Sequence, residues 1–294
     1  MTGQLVFVHG RSQEYRDSAS LKGAWIAALK EGLAKSGLDL PIPETSVRFP
    51  YYGQTLFDLV SDAAHVAEVI VRGPGTDDAE RQFNRAVLQE VQEVRGIPDD
   101  EVEAVLGTEV VERGVLNWEW VQGILKVLDQ HLPGGSAATV ALATHDVYQY
   151  LRNPGIRDAI ERGVRAAFTR RMPTVVVSHS LGTVVAFNLL RREGDVERWS
   201  VPLLVTLGSP LAITAIKTSL SPIEHPSCVR KWYNARDERD VVALYPLDKA
   251  HFDIDPAIEN SAAVQNHTDN RHGISGYLDD KDVARRIYDA LVAA

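Results

Sequence analysis

Cysteine is nearly absent from this chain: Cys228 is the only one. A single cysteine cannot form a disulfide within the chain, and it cannot build a cysteine-based zinc cluster. No run of residues approaches the roughly 18 consecutive apolar residues of a membrane span. Residues 4–8 already have the character of a core strand, which leaves no room for a signal peptide at the start. We therefore expect a cytoplasmic protein without a transmembrane segment.

An excess of positive charge is also lacking, since the formal net charge is −9. Phosphate binding requires a basic face, so this balance argues against nucleic acid as a partner. It also gives no help in approaching an anionic membrane surface.

Several motifs of cofactor and metal chemistry are missing. The sequence has no phosphate-binding loop, no glycine-rich dinucleotide loop after its first strand and no His-Glu-x-x-His. Asp253, Asp255 and Glu259 have a spacing that matches no metal-binding loop, and a solvated acidic turn is the preferred interpretation. We expect neither a cofactor nor a metal.

The pattern that is present alternates short apolar runs with helical periods, which is typical of an α/β protein with a mostly parallel sheet flanked by helices. Helices are predicted at Leu21–Lys35, Leu181–Arg192 and Lys281–Val292. The predicted strands are Leu5–Val8, Thr45–Phe49, Thr174–Ser178, Pro202–Leu207 and Val229–Asn234.

One region interrupts this alternation. Between residues 54 and 144 only helical patterns occur, separated by breakers such as residues 73–75 and 133–135. An apolar stripe of core-packing type begins there at Trp118 and continues through Val121, Leu125, Leu128 and Leu132. We predict one domain over residues 1–294 with a helical cap inserted at 54–144.

The most informative segment is residues 174–182, TVVVSHSLG, which is followed by an apolar helical pattern. A buried strand here enters a small-x-Ser-x-Gly turn, and the turn enters a helix. Such a sharp turn presents the serine hydroxyl at the carboxyl edge of a sheet. Ser178 and Gly182 are the small residues, and Ser180 is the candidate nucleophile. A hydroxyl needs a base, and the base needs an orienting carboxylate.

On these residues the chain resembles the α/β-hydrolase superfamily, and most of all its lipase and esterase branches. Ser178 stands where glycine is usual, but Ser-His-Ser-Leu-Gly is common in those branches. The resemblance implies that His9-Gly10 forms the turn carrying one oxyanion-hole amide. The donors would be the backbone N–H groups of Arg11 and Leu181. His179 would pack beneath the elbow.

The resemblance also implies an acid and a base further along the chain. Trp232-Tyr-Asn234 leads into Asp237-x-x-Asp240-x-Val, in which the second aspartate is the family's acid, so Asp240 is favoured and Asp237 is the alternative. His272, on a glycine-flanked loop before the last helix, is the candidate base. It is favoured over His251, which is too near the acid strand, and over His267, which lacks that setting.

These residues predict a serine esterase acting on apolar acyl or lipid-like esters, with Tyr51, Tyr52 and Trp118 as possible pocket residues. The alternative is a non-catalytic binding protein or receptor on the same scaffold. The substrate and the oligomeric state are left open, because lipases, thioesterases and small-ester hydrolases share this fold.

Overall fold

A six-stranded, all-parallel sheet forms the centre of the protein in a computed structural model. The structure describes residues 3–10, 17–52, 78–106, 118–131 and 136–294. The side chains of residues 118–120 and 136 are not described. The strand order is β2-β1-β3-β4-β5-β6. The strands are β1 (Gln4–Val8), β2 (Val47–Arg48), β3 (Thr174–His179), β4 (Leu204–Leu207), β5 (Trp232–Ala235) and β6 (Glu259–Ser261).

The two central strands are buried on both faces, as expected for a parallel sheet covered by helices. Successive side chains of a strand point to opposite faces, so β1 sends Leu5 and Phe7 into one core and Val6 and Val8 into the other. Strand β3 divides its valines in the same way. The α/β class and the parallel sheet are thereby confirmed.

The first core layer is built by α1 (Ser18–Ala34), α9 (Ser275–Leu278) and α10 (Lys281–Val292). Asp17 caps α1 by accepting the Ser20 N–H, and Asp280 caps α10 in the same manner. The helices predicted at 21–35 and 281–292 are thus present within a few residues.

The opposite layer is larger and contains every remaining helix of the described residues. These helices are α2 (Asp78–Val94), α3 (Asp99–Leu106), α4 (Trp118–His131), α5 (Ser136–Arg152), α6 (Pro154–Arg165), α7 (Leu181–Glu193) and α8 (Thr214–Leu220). Helix α7 directly follows β3 and packs against it, and it also contacts α5 and α6, while α2 contacts α8.

The described part of the interruption at 54–144 is helical, with no strand in 78–106, 118–131 or 136–144. Val121, Leu125 and Leu128 of the predicted stripe are buried in the core, whereas the Trp118 side chain and Leu132 lie outside the described residues. The boundary predicted at 144 falls inside α5, because that helix continues to Arg152.

Three strand predictions differ from the structure in extent. The strand expected at 45–49 is reduced to Val47–Arg48 after a 3₁₀ turn at Glu44–Ser46, and those expected at 202 and 229 begin at Leu204 and Trp232. The acidic turn expected around Glu259 is wrong at that residue, which begins the edge strand β6.

Within the described ranges, no helix has the length and apolar character needed to cross a membrane.

Candidate active site

The strand order reverses at β1, which makes the carboxyl ends of β1 and β3 the expected place for a ligand site. The chain passes from β1 outward to β2 and then returns to the other side of β1 to form β3. In parallel α/β sheets, ligands bind outside the carboxyl ends of the strands where the direction of winding reverses. Gly10 follows β1 and Ser180 follows β3, so both residues lie at this point.

Ser180 occupies the sharp turn between β3 and α7. Its backbone has φ 54° and ψ −129°, a conformation that residues with a side chain rarely adopt. Such a conformation costs on the order of 1–3 kcal/mol and persists only where surrounding contacts impose it. Here the Ser180 N–H donates to Leu207 O at 3.1 Å, and Thr183 Oγ1 donates to Ser180 O at 2.7 Å.

Two glycines permit this turn to sit against β1. A Cβ on Gly182 would overlap the carbonyl group of Val8 and lie 2.7 Å from His9 O, while a Cβ on Gly10 would lie 2.7 Å from Ser180 Cβ. The small residue expected at 178 is also confined, because buried Ser178 donates through Oγ to Val205 O at 2.9 Å. The small-x-Ser-x-Gly pattern therefore follows from crowding between β1, β3 and α7.

Asp240 and His272 meet at the carboxyl end of β4. The distance from His272 Nδ1 to Asp240 Oδ2 is 2.8 Å, and Tyr277 donates its hydroxyl to the same oxygen at 2.6 Å. The other carboxylate oxygen accepts the Val242 N–H at 2.8 Å. Gly208, with φ +56°, leaves room for the pair, since a Cβ there would lie 3.1 Å from Asp240 Oδ2.

These contacts determine the charge of the buried carboxylate. Burial opposes ionisation of Asp240, but the neighbouring His272 and the hydrogen bonds from His272, Tyr277 and Val242 outweigh it, so the pKa of Asp240 lies below its ordinary value. Burial, together with Asp240, raises the pKa of Tyr277 well above its usual value, so the phenol remains a donor.

His272 is oriented with one nitrogen free. Because Asp240 is ionised, Nδ1 carries the proton of the 2.8 Å hydrogen bond, and in the neutral ring this leaves the lone pair on Nε2. Nε2 is buried and has no hydrogen-bond partner among the described residues, so Ser180 does not donate to it in this structure. Hydrogen bonds between nucleophile and base are commonly long before substrate binds.

Asp237, the alternative acid, does not contact His272 through any described hydrogen bond. Its Oδ2 accepts the Asn266 N–H at 2.8 Å and its Oδ1 accepts the Arg239 N–H at 2.8 Å. Asp237 therefore joins the β5 turn to the loop that precedes His272. The structure brings Asp240, and not Asp237, to the candidate base.

The turn after β1 is held by His9. Tyr52 donates its N–H to His9 Nε2 at 3.2 Å, so His9 Nδ1 carries a proton and donates to Gly10 O at 2.6 Å. Burial lowers the pKa of His9 to about 4, which keeps the ring neutral. Tyr52 is only 2% exposed and stacks on His9, so it braces this turn. Half-buried Tyr51 lies 5.6 Å from His9 between ring centroids, with the two rings tilted by 31°.

Of the two predicted oxyanion donors, the structure describes Leu181 but not Arg11. Leu181 is the first residue of α7, and its N–H has no acceptor among the described residues, as is usual for the first turn of a helix. Arg11 lies outside the described residues.

The two histidines that competed with His272 for the role of base pair with other carboxylates: His251 with Asp248 at 2.8 Å and His267 with Asp279 at 3.3 Å.

Arg95 is a site neighbour that the sequence did not indicate. It follows α2 directly and donates to Glu238 O and Asp240 O, both at 2.6 Å. Nothing in the sequence around Arg95 distinguishes it from other arginines on helices. Elsewhere in the described ranges, no cluster of three or more His, Cys, Asp or Glu side chains is arranged to hold a metal ion.

Comparison with protein-family models, with curated proteins and with solved structures found no match for this chain. The class of site is consequently defined by its geometry alone: a strained serine after a central parallel strand, beside a buried aspartate–histidine pair.

Proposed function

We propose that the protein is a serine hydrolase of α/β-hydrolase type that cleaves carboxylic esters. In this proposal Ser180 is the nucleophile, His272 the base and Asp240 the orienting acid, and the helices between α2 and α5 form a cap. The observation that carries the proposal is the 2.8 Å contact of His272 Nδ1 with ionised Asp240, which in the neutral ring leaves the lone pair on a buried Nε2 that no described group hydrogen-bonds.

The chemistry follows from that arrangement. Ser180 Oγ forms a bond to the ester carbonyl carbon while its proton passes to His272 Nε2. Collapse of the tetrahedral intermediate breaks the bond to the alkoxide, which takes the proton from Nε2. A water molecule then loses a proton to Nε2 and attacks the acyl-enzyme carbonyl. Collapse of this second intermediate breaks the bond to Ser180 Oγ, which takes the proton back from Nε2, and the carboxylic acid is released. Asp240 remains ionised and stabilises the imidazolium that forms in each half.

Charge on the carbonyl oxygen needs donors that are already in place. The Leu181 N–H, at the start of α7, supports this role because its hydrogen-bonding capacity is not used by any described group. The second donor in the proposal is the Arg11 N–H. Loss of one such donor typically costs about 10²–10³ in kcat.

Apolar acyl or lipid-like esters are the proposed substrates. The proposed cap packs a continuous apolar core onto α7 and α8, and α7 starts at the carboxyl end of β3. Of the residues predicted to line a pocket, Tyr52 is fully engaged in the His9 turn, and Tyr51 is the remaining described candidate.

A fluorophosphonate probe tests the assignment directly. The wild-type protein should gain one probe mass on the peptide containing Ser180, and Ser180→Ala and His272→Gln should not. With p-nitrophenyl esters of increasing chain length, Ser180→Ala should lower kcat by on the order of 10⁴–10⁶. A folded protein that is neither labelled at Ser180 nor active on any ester would reject the proposal and favour a non-catalytic binding protein.

A further inference from the structure

A single arginine connects the helical segment to the turn that carries Asp240. Arg95 is half-buried, and its two terminal nitrogens donate to Glu238 O and Asp240 O, each at 2.6 Å. A planar guanidinium that binds two carbonyl groups at once fixes their relative direction as well as their distance. Charge-assisted hydrogen bonds of this length are among the stronger ones in proteins.

The turn that Arg95 binds is short and closed. The Asp240 N–H donates to Asp237 O at 3.1 Å, and the Asp240 carboxylate accepts N–H groups from Val242 and Ala243. All of these contacts lie within the turn itself. The Arg95 hydrogen bonds come from a different part of the chain, 145 positions away, and act on the Asp240 backbone from outside the turn.

Arg95 is itself held firmly. The Arg95 N–H continues the hydrogen-bond pattern of α2 by donating to Val91 O at 3.0 Å. Upstream on the same helix, Glu90 accepts from the Thr214 N–H at 3.0 Å, which ties α2 to α8. Gln92 donates to Asp99 at 2.7 Å and so ties α2 to α3. The Arg95 guanidinium therefore extends from a backbone position that contacts between α2, α3 and α8 hold in place.

We propose that Arg95 is a positioning residue, which holds the Asp240 backbone so that the carboxylate meets His272 Nδ1. The helical segment then supplies part of the machinery in addition to covering it. This inference rests on the proposed esterase function for its kinetic consequences, but its structural consequence, the geometry of the Asp240–His272 hydrogen bond, does not depend on any activity.

The test compares Arg95→Met and Arg95→Lys with Arg81→Met. Arg81 lies on α2, the helix that Arg95 directly follows. It pairs with exposed Asp78 and makes no described contact with the Asp240 turn, so it is a matched control. A displacement of catalytic groups by about 1 Å can cost on the order of 10²-fold in rate. We expect Arg95→Met to lower kcat by roughly 10- to 100-fold with KM little changed, Arg95→Lys to recover part of the loss, and Arg81→Met to match wild type.

A second measurement needs no turnover. The His272 proton on Nδ1, held between the ring and Asp240, should give a low-field proton NMR signal that disappears in His272→Gln. We expect this signal to persist in Arg81→Met and to weaken or move upfield in Arg95→Met. An inactive wild type would reject the esterase proposal, and the NMR comparison would still decide the role of Arg95.

An Arg95→Met protein with wild-type kcat and an unchanged low-field signal would overturn the inference. If Arg95→Met does not fold, Arg95→Lys decides alone. A folded Arg95→Lys with reduced kcat and a shifted signal supports the positioning role, and one identical to wild type in both measurements rejects it.

Discussion

His179 donates from Nε2 to the backbone carbonyl oxygen of His272 at 2.8 Å, and the two rings lie 4.7 Å apart between centroids. The residue directly before the strained serine therefore holds the backbone of the candidate base. Trp25 of α1 also contacts the His179 ring, edge-on, at 6.2 Å between centroids. The packing role predicted for His179 beneath the elbow is confirmed, and the ring also fixes the loop that carries His272.

Buried, neutral His179 and His9 should make the protein sensitive to acid. Burial, with a smaller contribution from His272, lowers the pKa of His179 to about 3, and burial lowers that of His9 to about 4. Each pKa is depressed on folding, so the unfolded chain binds the extra protons as pH falls below about 6.5. Above that pH the two neutral rings contribute their full stabilisation. As the pH falls below it, the free energy of unfolding should decline by about 1.4 kcal/mol per pH unit for each ring, until the pH reaches the pKa of that ring in the folded protein.

Urea unfolding at pH 7.5, 6.5 and 5.5 measures this decline. His179→Asn should be less stable than wild type at pH 7.5 and should lose stability less steeply toward pH 5.5. Ser219→Ala is the control, because it removes a partly buried hydroxyl that does not titrate and should leave the slope unchanged. Identical slopes for wild type and His179→Asn would contradict the assigned neutral state.

The elements that the sequence predicted well are those whose signal is local. Strands β1 and β3 are largely apolar runs. The turn at Ser180 can be recognised from five consecutive residues, 178–182, because crowding by β1 restricts the residues that fit there. Strand β6 could not be predicted, since its residues Glu-Asn-Ser are polar and it is defined only by pairing with β5 at the sheet edge. Its formation depends on a neighbour distant in sequence.

The candidate site shows the same division. Asp237 and Asp240 share one turn. The family resemblance favoured Asp240, and the fold places His272 Nδ1 and the Tyr277 hydroxyl at 2.8 and 2.6 Å from Asp240 Oδ2. Arg95 could not be found from the sequence, because its partners are backbone carbonyl groups, which carry no residue-type signal. The prediction for the Arg11 amide stays a prediction.

Substitution of Asp240 and of Asp237 should have different effects on kcat and on stability. Asp240→Asn keeps the shape but offers an amide in place of a carboxylate, which removes the charge that stabilises the imidazolium and favours the wrong tautomer of His272. A loss in kcat on the order of 10⁴ is expected. Asp237→Asn should retain kcat within several-fold while losing about 1–2 kcal/mol of stability, because it weakens the contacts with Asn266 and Arg239. Ester hydrolysis and urea unfolding of both variants measure the two effects, and the reverse ranking in kcat would identify Asp237 as the acid.

Removing the Tyr277 hydroxyl should shift the pH dependence of hydrolysis. Tyr277 shares Asp240 Oδ2 with His272, so its hydroxyl withdraws part of the negative charge that attracts the imidazolium. In Tyr277→Phe that charge falls on His272 alone, and the protonated ring becomes more stable. The acidic limb of the kcat/KM profile should therefore move to higher pH.

Stability should fall as well in Tyr277→Phe, by about 1–2 kcal/mol, because the buried Asp237 N–H loses its acceptor, the Tyr277 hydroxyl oxygen at 3.2 Å. Tyr288→Phe, on the neighbouring helix α10, is the control and should leave both the limb and the unfolding midpoint in place. The kinetic and thermodynamic effects arise from different partners of one hydroxyl, so they should appear together. A Tyr277→Phe protein that is destabilised but keeps the wild-type acidic limb would show that the phenol supports the fold without influencing the Asp240–His272 pair.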